Sequence, residues 1–153
     1  MSSRLFQHIR EERGLAYAVF SHLTSYSDAG MMTVYAGCAN DKVSDVVELT
    51  LRELRTIRDT PVDADELRRA KDHLKGSLML GLESTSSRMS HLARQVLYFG
   101  RHFTLDEILN SIESVTADDV QRVANLLFRD SGLAATVVGP NNGRSLEAVR
   151  LTI

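Results

Sequence analysis

Between Leu15 and Ala39 the apolar pattern of this chain changes period, and that change constrains the fold more than any other feature. Leu15, Tyr17 and Val19 alternate with Ala16, Ala18 and Phe20 in a run that reaches Thr24. Ser25-Tyr26-Ser27-Asp28-Ala29-Gly30 has turn chemistry, and Met31 to Ala39 returns as a second β run. The pattern reads as an antiparallel hairpin. A sheet with one apolar face must bury it against another element, and the rest of the chain supplies helices.

Ser3 to Glu12 reads as a helix with Leu5, Phe6 and Ile9 on one face, ending at Gly14. No convincing cap precedes it. After the hairpin, Asn40 or Asp41 can cap a helix in which Val43, Val46, Val47, Leu51, Leu54 and Ile57 recur at helical spacing, and Pro61 ends the connection. Asp63 with Glu66 forms a capping box ahead of Leu67, Ala70, Leu74 and Leu78. Met89, Leu92, Ala93, Val96 and Leu97 make another stripe, stopped by Gly100. Thr104 with Glu107 and Thr116 with Asp119 open two short helices. Leu133 to Val138 reads as a buried strand ended by Gly139-Pro140-Asn141-Asn142-Gly143, and Leu146 to Ile153 as a final strand. The fold expected is α+β: two layers, a mostly antiparallel sheet with helices packed on one face.

A length of 153 residues, 43% hydrophobic and 25% charged, suits one soluble domain over 1–153. A net charge of −2 gives no electrostatic reason to bind nucleic acid or an anionic membrane. There is no apolar run of membrane-spanning length and no signal-peptide core behind Met1. The single cysteine, Cys38, excludes an internal disulfide and favours a reducing, cytoplasmic setting.

Self-sufficient chemistry is hard to find. None of the five histidines, His8, His22, His73, His91 and His102, has another at i+3 or i+4, so no helix face carries a two-histidine metal site. Neither HExxH nor its inversion HxxEH occurs. Each histidine reads as solvated or locally hydrogen-bonded, and Cys38 as a buried structural thiol. No Gly-rich phosphate loop and no G-x-S-x-G is present.

The distinctive segment is the head of the chain, Met1-Ser2-Ser3-Arg4-Leu5-Phe6-Gln7-His8-Ile9-Arg10-Glu11-Glu12-Arg13-Gly14-Leu15-Ala16-Tyr17. On its residues alone it is a surface helix with paired Arg and Glu, followed by a core tyrosine. It resembles, however, the helix-to-strand segment in the second domain of the pitrilysin/insulinase family of zinc metallopeptidases, which includes mitochondrial processing peptidase. The family motif runs approximately GGGMSSRLFxxIRExRGLAY, and this chain matches it from the Met onward. Similarity continues through Asp63-Ala64-Asp65-Glu66-Leu67 with Lys71 and Gly76, through Ser87-Arg88, and through Ile112 to Val120, reaching about Gly139.

The resemblance implies a ferredoxin-like half of a processing-peptidase-type fold, N-terminally truncated by one strand and one helix. It implies that Arg10 contacts the substrate backbone or carbonyl and that Tyr17 donates its phenol in trans to the developing oxyanion. Both would lie together at one sheet edge with solvent-facing polar ends. Zinc in the intact enzyme would be held by an HxxEH-bearing domain or subunit absent from this chain, with none bound here. The implied function is completion of the active site of a zinc metalloendopeptidase that hydrolyses extended peptides; alone, the chain would be inactive. The alternative within the family is a non-catalytic scaffold module, and outside it an unrelated ferredoxin-like ligand-binding domain. Partners expected are a peptide substrate, the HxxEH-bearing unit and a second copy in a homo-oligomer, without nucleic acid or membrane.

Overall fold

The structure, a computed structural model, describes residues 3–140 and 151–153. It falls into two compact units: residues up to Thr60 together with those from Arg122 onward, and Pro61–Gln121. The secondary structure is α+β, as expected from the period change.

The first unit opens with a short π-helix, Phe6–Glu11, and continues into the hairpin of β1 (Ala16–Ser25) and β2 (Gly30–Cys38). The strands run antiparallel, with Val19 opposite Ala36 and Phe20 opposite Tyr35. Helix α1 (Val43–Asp59) follows. Ile9, fully buried, meets Leu5, Ala16, Val19, Val46 and Leu49 in the core, and Phe6, Leu15, Val34, Ala36 and Cys38 pack on its margin. The hairpin thus buries one face against the N-terminal helix and α1, as a two-stranded ribbon must to persist in water.

The register departs from the simple alternation of the sequence. Ala16 pairs with Cys38 but Ala18 pairs with Gly37, so Tyr17 is an extra residue in β1. A bulge of this kind resets the pleat, because two residues of one strand then oppose one of the other. Ala16 and Val19 therefore both turn inward, while Tyr17 and Phe20 both turn outward. The grouping of Tyr17 with Val19, and of Ala16 with Phe20, is corrected accordingly.

Two further expectations change. Neither Asn40 nor Asp41 caps α1: a 3₁₀ turn, Asn40–Lys42, leads in and the N-cap position falls on Lys42 without a side-chain cap bond. Leu133 to Val138 is not a strand; the sheet among the described residues contains only β1 and β2, and Val138 is almost wholly exposed. An apolar run becomes a strand only where a neighbour pairs its backbone groups. Of the expected strand Leu146 to Ile153, residues 146–150 lie outside the described residues. The last residues are not strand: Thr152 O accepts from Arg55 Nη2 at 2.7 Å and Ile153 N–H donates to Asp130 Oδ1 at 2.7 Å.

In the second unit the helix starts follow their local chemistry. α2 (Ala64–Gly81) is capped by Asp63, whose carboxylate accepts from Asp65 and Glu66 N–H. α3 (Thr85–Phe99) stops at Gly100, which takes φ +68°, a left-handed conformation that suits glycine. α4 (Leu105–Ser114) carries the full Thr104–Glu107 capping box. Thr116 and Asp119 bond reciprocally at the start of α5 (Ala117–Leu127). No helix of the described residues is long and apolar enough to cross a membrane.

Candidate active-site segment

Arg10 and Tyr17 are carried by one continuous piece of backbone. The π-helix holds its extra residue per turn through bonds such as Glu12 N–H to Gln7 O at 2.9 Å. It closes where Gly14 N–H donates to Arg10 O at 3.0 Å and Leu15 N–H to Ile9 O at 2.9 Å, around a glycine at φ +60°. The chain then enters β1 at Ala16, and the bulge presents Tyr17, three residues after Gly14. A second tie comes from α1: His8 Nδ1–H donates to Glu53 Oε1 at 2.8 Å, and Glu53 is buried. Imidazole and carboxylate satisfy one another there, which is the condition for burying an acidic side chain.

Arg10 is half exposed. Its guanidinium lies 5.0 Å from the Phe6 ring centroid, and its Nε lies 3.9 Å from Glu11 Oε1. These are loose contacts, at a spacing that leaves donors for a third group. Tyr17 is 72% exposed. That exposure excludes the core-tyrosine reading, in which the phenol would be buried and bonded inside the protein. Tyr35, first through hydrogen bonding with the phenol and then through Coulombic repulsion, raises the Tyr17 pKa above the ordinary 10.0. The phenol therefore stays protonated at neutral pH and remains a donor.

Two residues bearing on Tyr17 went unrecognised in the sequence: Tyr35 and Gly37. Tyr35 stacks on Phe20 across the strands, ring centroids 5.0 Å apart. Gly37 lies under the Tyr17 ring, so close that a Cβ there would fall 2.6 Å from Oη. The available signal was Gly37 itself, since an isolated glycine inside a β run marks a bulge or a close approach.

The other residues considered do different work. Cys38 is half-buried at the core margin, and desolvation followed by Asp41 raises its thiol pKa, opposite to what a reactive thiolate needs. The second unit has an open cleft of about 470 Å³ beside Ser87, His91 and Arg94. His91 Nε2 is taken up by Gln95 at 2.8 Å, and Gln95 in turn accepts from Phe103 N–H at 3.0 Å, so this histidine secures a loop. Among the described residues no three His, Cys, Asp or Glu side chains come together as metal ligands.

Comparison with known proteins gives this segment a context. Residues 1–74 match the Peptidase M16 inactive domain. An uncharacterized zinc protease of Bacillus subtilis is 41% identical over 141 residues, 92% of this chain and 34% of that protein. Another from Mycobacterium tuberculosis is 43% identical over 145 residues, 94% of this chain and 33% of that one. The chain belongs to the M16 peptidase family. It spans about a third of the length of these curated relatives. The M16 chain also superposes on a chain of complex III2 from Candida albicans in its Inz-5-bound form, with a TM-score of 0.75 over 85% of this chain and 31% of that one. At 24% identity that likeness speaks for the fold. The M16 match covers the π-helix, the hairpin and α1, the segment that carries Arg10 and Tyr17.

Proposed function

We propose that this chain is the substrate-side domain of a zinc metalloendopeptidase, completing from across a peptide chamber an active site whose zinc is held by an HxxEH-bearing domain or subunit. Tyr17 is the oxyanion donor, and Arg10 binds the peptide backbone. The observation that carries the reading is the outward presentation of a protonated Tyr17 phenol by a bulge seven residues after a half-exposed arginine. A preorganised O–H aimed where negative charge develops stabilises the transition state more than the ground state. A guanidinium is always charged and offers fixed donors to peptide carbonyls. The zinc-protease names of the relatives support the same assignment. Extended peptides are the substrate class, and self-association into a homo-oligomer belongs to the same proposal.

The test uses the chain assembled with its zinc-binding partner and a quenched-fluorescence peptide library. Tyr17→Phe is expected to lower kcat by roughly a hundredfold with little change in KM, as loss of an oxyanion donor does. Arg10→Ala raises KM. A Tyr17→Phe enzyme with parent kcat would sink the assignment and leave the scaffold reading. Sedimentation of the chain at micromolar concentration tests self-association, which a clean monomer would refute.

A further inference from the structure

The bulge explains why Tyr17 points outward, but an exposed tyrosine on a strand has two rotatable side-chain bonds and no inherent direction. Three features of the hairpin surface supply one. Gly37 and Tyr35 lie two apart on β2, on the same outward face, and Gly37 meets Tyr17 directly. The Tyr17 ring occupies the space over Gly37, where a Cβ would press on Cζ and stand 2.6 Å from Oη and 2.9 Å from Cε1. Those separations are far inside van der Waals contact, so the ring can lie down only because residue 37 has no side chain. Tyr35 stands on the same face toward the hydroxyl end, and its influence raises the Tyr17 pKa. Tyr35 is itself steadied by the Phe20 ring, stacked at 5.0 Å and 24°.

We propose that Gly37 and Tyr35 are positioning residues that set where the Tyr17 phenol stands. Gly37 provides the floor and Tyr35 the lateral tether. The inference rests on the peptidase reading above and adds to it two residues on the neighbouring strand. A donor serves a transition state only if it is held where the charge will form, and misplacement by about 1 Å can cost on the order of a hundredfold in rate. The atoms that a Cβ at 37 would strike all belong to the far end of the Tyr17 side chain, not to backbone. Gly37→Ala therefore displaces the phenol while leaving the strands in place.

The experiment compares Gly37→Ala, Tyr35→Phe and Tyr17→Phe, alone and combined, in the assembled peptidase, with ¹³Cζ-tyrosine NMR titration of the chain as a second readout. Gly37→Ala is expected to keep the parent urea midpoint and KM while kcat falls on the order of tenfold to a hundredfold. Tyr35→Phe lowers kcat by a few-fold and brings the Tyr17 titration down toward its ordinary value. In a Tyr17→Phe background neither change lowers kcat further. The proposal is overturned if Gly37→Ala and Tyr35→Phe keep parent kcat while Tyr17→Phe loses it, or if their losses persist without the Tyr17 hydroxyl. Should Tyr17→Phe itself leave kcat unchanged, the peptidase role of Tyr17 fails separately. The titration then decides the geometry, because a Tyr17 resonance that ignores Tyr35→Phe refutes the tether.

Discussion

Ile9 is the residue through which the helix bearing Arg10 is fastened to the hairpin bearing Tyr17. It is fully buried, and Leu5, Ala16, Val19, Val46 and Leu49 belong to the same core. Ile9→Ala removes three carbon groups from that site. At about 0.8 kcal/mol each their transfer amounts to ~2.4 kcal/mol, and an unfilled cavity adds to it. We expect a loss of about 3 kcal/mol, within the range of roughly 2–5 measured for such truncations, against about 1 kcal/mol for Ile9→Val. The assay is urea unfolding followed by tyrosine fluorescence. The chain has no tryptophan, and three of its four tyrosines, Tyr17, Tyr26 and Tyr35, lie in the hairpin region. Hydrogen exchange at Leu15 N–H, which donates to Ile9 O, should accelerate in parallel. A midpoint change worth less than about 1 kcal/mol for Ile9→Ala would refute the claim that this side chain joins helix to hairpin.

Gly14→Ala places a Cβ on a residue at φ +60° and should destabilise the helix-to-strand junction by roughly 1 kcal/mol, read by the same urea titration. Glu53→Ala leaves His8 without its buried partner at 2.8 Å; a loss of about 1–3 kcal/mol is expected, and Glu53→Gln, which can still accept a hydrogen bond, should lose less. Thr104→Ala removes the cap of α4 and should cost about 1 kcal/mol. Glu107 in that capping box has its carboxyl pKa lowered, first by the Thr104 backbone N–H and then by Arg101. A lowered acid pKa contributes stability that is present above the ordinary value of 4.5 and lost as pH falls through the depressed one. Helicity of the parent should therefore decline on acidification below pH 4.5 more than that of Glu107→Gln, measured by circular dichroism.

The local punctuation of this fold was legible residue by residue. Asp63, Thr104 and Thr116 cap helices where their side chains can reach an N–H two or three residues on, and Gly100 ends one where a left-handed φ is needed. The hairpin followed from its period and its turn, and the end of the first helix from Gly14. These signals act within a few bonds along the chain, so sequence alone determined them. The face each β residue takes was a different matter. The bulge at Tyr17 is a relation between β1 and β2, and it moved Ala16 and Val19 to one side and Tyr17 and Phe20 to the other. Gly37 under Tyr17, Glu53 against His8, and the unpaired run Leu133 to Val138 are relations of the same kind. Only tertiary structure decided them, because pairing, clash and burial depend on which distant residue arrives opposite, and that is a property of the packed elements rather than of any one segment.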